Sequence, residues 1–232
     1  MAEFHKLLAR LKGALEKPQV AGAHENHAPP APVPVASIAQ RAELASSFAR
    51  ELQAVSGRFL GSFSAQTAAA RVGDIARENA AKSAAIGEGV VTRMSLFSAA
   101  LDDAGCSLMK PRGIDKGHET DRAAIIAQLA QTDIGVAEAH FAIASTGTFA
   151  VMSAEARPGS LTLLPPISVI IVHIDRVVPN LAAAIAAFGA ETIATNRVSF
   201  ITGPSRTADI EKRIVMGVHG PKTLYGAIIW PE

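Results

Sequence analysis

The stretch SVIIVHI, Ser168 to Ile174, decides the fold, because its run of apolar, mostly β-branched residues is interrupted only by His173. A strand with one wet face alternates apolar and polar residues. A near-continuous apolar run is instead a strand buried on both faces, the pattern of a parallel sheet covered by helices. Working outward, LTLLP, RVSFIT and TLYGAIIW are further apolar runs of strand length, with helix-like PNLAAAIAAFGAE and RTADIEKRIVMG between the later ones. Upstream, helices are expected near 38 to 55, 65 to 82, 92 to 104 and 119 to 131, separated by RFLGSF, AAIGEGV and CSLMK. This alternation predicts an α/β fold with an open, largely parallel sheet flanked by helices.

The first 36 residues read differently. Phe4, Leu7, Leu8, Leu11 and Leu15 share one helical face, and Pro18, Pro29, Pro30, Pro32 and Pro34 follow in an extended stretch. The organisation expected is an amphipathic helix over 1–17, a proline-rich linker over 18–36 and an α/β domain over 37–232. The apolar stripe needs a surface to cover, on a partner or on a second copy of the chain, so a homo-oligomer is one expectation.

Composition excludes several classes. Net charge is +1 with Lys and Arg scattered, so no basic stripe invites nucleic acid, and one Trp and one Tyr supply little stacking surface. No apolar run reaches the roughly 18 residues of a membrane span, and the N-terminus lacks the apolar core of a secretory signal, so a cytoplasmic protein is expected. Cys106 is the single cysteine, which neither a disulfide within the chain nor a four-thiolate cluster can use, and it reads as a small buried hydrophobe. His24 and His27 in the linker have no second ligand pair, so no metal site is read there. P-loop, GxGxxG, GxSxG and HExxH motifs are absent.

Two turns carry candidate chemistry. Ser145-Thr146-Gly147-Thr148 lies between apolar segments, and Gly147 permits a backbone conformation barred to larger residues. The turn either presents Thr146, Thr148 and free amides to a ligand or closes an ordinary hairpin. RVSFITGPSRTADIEKRIVMGVHGP reads as strand, tight turn and helix, with Gly203 and Pro204 in the turn. Ser205 or Thr207 caps the predicted helix, whose first amides favour an anion to which Arg206 adds a charged fork. The alternative is a plain cap with Arg206 paired to Asp209 or Glu211 on the surface. His219, in the GVHGP loop, suits an acid, a base or a ligand as well as it suits an ordinary surface histidine, whereas His173 reads as a hydrogen-bonded core or edge residue.

IASTGTFAV, SLTLLPPISVIIVHIDRVV and FITGPSRTADIEKRIVMGVHGPKTLYGAII, in that order, resemble the LUD domain of the lactate-utilisation protein C family. The likeness is firm from Ile143 to Ile229, looser from Ser37, and does not extend to residues 1–35. Ser145 departs from it, standing where relatives often place an acidic residue before Thr-Gly-Thr. The resemblance implies a fold like the sugar-phosphate isomerase and coenzyme A transferase superfamily. It also implies a part in oxidising L-lactate to pyruvate beside two iron–sulfur partner proteins, which would hold the clusters this chain cannot.

On that reading both turns converge on a pocket for a small anionic ligand. Thr146, Thr148, Ser205 and Thr207 donate hydrogen bonds there, Gly147, Gly203 and Pro204 shape the backbone, and Arg206 neutralises charge. Asp209 orients, and His219 is the acid or base. The readings weighed against it are a stand-alone enzyme of sugar phosphates or acyl-coenzyme A, and a non-catalytic scaffold or metabolite sensor.

Overall fold

Ser37 starts the first helix by accepting from the Gln40 amide at 3.3 Å, while the Gln40 side chain accepts from the Ser37 amide at 2.8 Å. This reciprocal cap satisfies two donors that a helix start leaves unpaired. In the computed structural model, residues 37–89, 94–111, 119–153, 158–190, 197–207, 215–216 and 220–231 are described. The expected helix and linker of residues 1–36 lie outside them.

The helix is α1 (Ile38–Ala54), and the chain continues through β1 (Arg58–Phe63), α2 (Ala65–Glu78), β2 (Ser83–Ile86), α3 (Ser95–Asp103), β3 (Ser107–Met109), α4 (Glu119–Ala130) and β4 (Ile134–Glu138). A hairpin of β5 (Phe141–Ile143) and β6 (Thr148–Met152) follows, then β7 (Ile167–His173), β8 (Val177–Val178), α5 (Leu181–Ala190) and β9 (Val198–Ile201). The short pair β10 (Arg206–Thr207) and β11 (Val215–Met216) precedes the last strand, β12 (Thr223–Ile229).

Six strands in the order β1-β12-β7-β4-β2-β3 form one sheet in which every pairing is parallel. The expected open parallel sheet flanked by helices is therefore present. SVIIVHI lies inside it, β7 pairing with β12 from Ile167↔Thr223 to His173↔Ile229.

Strand alternation sorts the core into two faces. On the first, Ile86, Ile134, Val136, Val169, Ile171 and Ala227 pack against Val72 and Ile75 of α2 and Phe97 and Leu101 of α3. On the second, Ile170, Val172, Leu224 and Ile228 meet Phe48 and Leu52 of α1 together with Phe149 of β6. Phe48 meets Phe149 edge to face, with centroids 4.9 Å apart, and burying each such ring stabilises the fold by about 1.5–3 kcal/mol.

The second face carries a feature that the alternating pattern did not reveal: a four-stranded sheet in the order β8-β5-β6-β9, mixed in direction. Its far side is covered by α5 through Phe188 against Phe141.

Two sequence expectations need correction. LTLLP is not a strand: Gly159–Thr162 form a turn of 3-10 helix, and Pro165 and Pro166 that follow offer no amide to a ladder. The helix expected over RTADIEKRIVMG is not formed at its ends. Arg206 pairs with Met216 and Thr207 with Val215 in an antiparallel ladder, whose backbone bonds form only between segments brought together by the fold, so the local helical spacing does not foretell them. Residues 208–214 lie outside the described ones.

Candidate functional site

Thr148 opens β6 and is buried, and its hydroxyl lies 2.7 Å from that of Thr146 and 2.7 Å from that of Thr202. Thr202 directly precedes the Gly203-Pro204 turn, so the two motif turns are joined by a chain of three hydroxyls. The two turns are therefore neighbours in the fold. The Thr-Gly-Thr segment is also the turn of the β5–β6 hairpin, so both readings of it describe the same loop.

Both glycines make a close approach, and α1 takes it up. Gly147 has φ +61°, and a Cβ there would stand 2.2 Å from the Leu52 nitrogen. Gly203 has φ +81°, and a Cβ would stand 2.4 Å from the Val55 carbonyl oxygen. The last turn of α1 is thus clamped between the two motifs.

Arg206 is exposed and donates from Nη2 to the Ser56 hydroxyl at 2.8 Å. The Ser205 amide donates to the Pro221 carbonyl at 3.0 Å, and its side chain packs on Gly220, bringing the GPSR turn onto Gly220 and Pro221. Arg206 and Thr207 are strand residues, so no helix begins at Ser205. Of the other expected residues, Pro204 is buried beside Gly203, Thr207 contributes its backbone to β10, and Asp209 and His219 lie outside the described residues. Ser56 and Gly220 flank the starts of β1 and β12, so the whole cluster sits at the amino edge of the parallel sheet.

The carboxyl edge holds polar residues that sequence reasoning passed over. Glu138, at the end of β4, is 1% exposed, and His140 is 4% exposed. The signal was an ionisable pair, Glu-Ala-His, inside the otherwise apolar run IGVAEAHFAIA. His140 accepts at Nδ1 from the Met152 amide at 3.2 Å, so the neutral ring carries its proton on Nε2. His173 accepts at Nδ1 from the Asp175 amide at 3.4 Å, and Asp175 also pairs with Arg41, which makes His173 the hydrogen-bonded edge histidine expected.

Cys106 is buried as expected, its thiol 3.5 Å from the Ala81 carbonyl. Burial, and then the Asp133 charge, push the thiol above its ordinary pKa against the opposing charge of Lys82. Among the described residues, no group of three or more His, Cys, Asp or Glu is arranged to hold a metal, and no helix is long and apolar enough to cross a membrane.

Residues 45–229 match the family model described as LUD domain. Lactate utilization protein C of Halalkalibacterium halodurans is 29% identical over 119 residues, which are 50% of this chain and 52% of that protein. The Bacillus subtilis protein of the same name is 33% identical over 112 residues, 46% of this chain and 44% of that one. The chain thus spans about half the length of the curated relatives it matches. The crystal structure of a DUF162 family protein from Deinococcus radiodurans superposes with a TM-score of 0.53 at 16% identity, covering 82% of this chain and 98% of that one, a likeness of fold.

Proposed function

The chain belongs to the LUD domain family, and from that premise we propose that it is a cytoplasmic component of a lactate-utilisation system, working with two iron–sulfur proteins that oxidise L-lactate to pyruvate. The electrons leave through the partners, since this chain's one buried thiol cannot anchor a cluster. Its own part is to bind a small carboxylate- or phosphate-bearing ligand at the turn that carries Arg206, which Thr202 ties to the Thr146–Thr148 turn.

One observation carries the reading: the stretch that matches the family also contains both motif turns, and Thr148 and Thr202 join them at 2.7 Å. The test is L-lactate-dependent reduction of a dye acceptor, with pyruvate measured as product. The chain alone should be inactive, and the chain combined with two cysteine-rich iron–sulfur proteins of the lactate-utilisation type should turn over. No turnover in the combination would overturn the assignment, and turnover by the chain alone would favour a stand-alone enzyme.

A further inference from the structure

Helix α5, LAAAIAAFGA, has no polar side chain in its ten residues, yet one of its sides is open to water. Ala184, Ala187 and Phe188 are buried against the four-stranded sheet, while Leu181 is 47% and Ile185 57% exposed. A helix that is apolar all round is normally covered on more than one side.

Phe200 of β9 is 47% exposed, and it stands on the same side of that sheet because it pairs with Ala150, whose side chain packs toward α5. β8 and β9 run parallel, and α5 connects them. In a right-handed crossover of this kind, the flank of the helix that carries Leu181 and Ile185 is turned toward β9. Leu181, Ile185 and Phe200 therefore border one apolar surface. Ile38, Ile126, Leu163 and Leu164 are also exposed, but they are spread over other elements.

The chain itself supplies an element of matching character and length. Phe4, Leu7, Leu8, Leu11 and Leu15 repeat at helical spacing, and a helix over 4–15 would be about 18 Å long against about 15 Å for α5. The tether is also long enough. Ser37 opens α1, whose Arg41 pairs with Asp175 two residues before β8, so the chain enters the described fold beside the β8 edge. From β8 to β9 is three strand spacings, about 15 Å, and a proline-rich linker over 18–36 extends by up to roughly 3.1 Å per residue. A tethered segment acts at an effective concentration on the order of mM, which favours it over a second copy of the chain.

We infer that residues 4–15 fold as an amphipathic helix onto this surface of their own chain, laying Leu7, Leu8 and Leu11 over Leu181, Ile185 and Phe200. Lys6 and Arg10, on the opposite side of the stripe, stay in water.

The experiment is hydrogen exchange of the full chain read by mass spectrometry at several protein concentrations, with light scattering for the mass. Residues 4–15 should exchange at least about tenfold more slowly than a free peptide of that sequence. Leu7→Ser with Leu11→Ser should speed exchange in 181–190 and 198–201, and Leu181→Ser with Ile185→Ser should speed it in 4–15. Dilution should leave the protection unchanged. Free-peptide exchange in 4–15, or protection of α5 and β9 indifferent to the Leu7 and Leu11 substitutions, would overturn the inference. Protection lost on dilution together with a halved mass would overturn it too, and would give the stripe to a second copy. The wild type and the Leu7 and Leu11 variant decide the matter even if the α5 variant does not fold.

Discussion

Thr148 and Thr202 stand 54 residues apart in sequence, yet their hydroxyls lie 2.7 Å apart and tie the hairpin turn to the turn after β9. Thr148→Val keeps the shape and deletes the central hydroxyl. Thr202 is exposed and can turn to water, so the expected loss of stability is about 1 kcal/mol in a denaturant melt. A double-mutant cycle with Thr202→Val should give a coupling of at least about 0.5 kcal/mol. Additive losses would mean that the pair contributes nothing jointly.

Gly147 and Gly105 both have positive φ, +61° and +84°, but only Gly147 lies against another backbone. Ala at either position meets the left-handed backbone penalty of roughly 1–2 kcal/mol. Gly105→Ala should lose about that much, because nothing lies within 4 Å of the added methyl. Gly147→Ala must also displace α1 and should lose more than about 3 kcal/mol or fail to fold. Equal losses in thermal melts would contradict the clamp on α1.

Arg206→Ala tests the anion reading at the amino edge. A charge-assisted hydrogen bond contributes roughly 1.5–3 kcal/mol, so affinity for the bound anion should fall by about one to two powers of ten. Calorimetric titration with inorganic phosphate and with small carboxylates measures it. Stability should change by no more than about 1 kcal/mol, since the side chain is exposed and its contact in the fold is the Ser56 hydroxyl. Unchanged affinity with a large drop in melting temperature would make Arg206 structural.

Asp133 gives the fold an acid-side dependence. Partial burial pushes its carboxyl upward, but the Lys82 amide, the hydroxyl and amide of Ser83 and the Lys82 charge outweigh that and hold it below the ordinary value. A carboxyl depressed on folding stabilises above its unfolded pKa of about 3.9, and that contribution is lost as pH falls through the folded value. Wild-type stability should therefore decline below about pH 4 more steeply than that of Asp133→Asn, as followed by urea midpoints against pH. Parallel curves would remove Asp133 from the account.

Cys106, buried and with its thiol pKa raised, should react with iodoacetamide only as the protein unfolds, because the thiolate is the nucleophile. The purified chain should contain neither iron nor acid-labile sulfide, and Cys106→Ala should likewise contain neither. Rapid labelling of the native protein, or a stoichiometric cluster lost in the variant, would refute this.

SVIIVHI announced its place at the centre of a parallel sheet because burial on both faces leaves a mark in adjacent residues, and most of α1 to α5 was legible through the same local periodicity. The two motif turns were legible as turns because the signal is again local: Gly147 and Gly203 admit a left-handed backbone, and Pro204 fixes its own φ. What these turns touch was not legible. That α1 rather than a ligand fills the space beside both glycines depends on a helix about 90 or more residues away in sequence. The β10–β11 pair was misread as helix because Thr207 and Val215 each choose a strand only when the other is opposite. That β4 lies between β7 and β2 is a property of strand pairing that no window of sequence contains. Glu138 and His140 could be noticed as ionisable residues in an apolar run, but only the fold buried them at the carboxyl edge of the sheet.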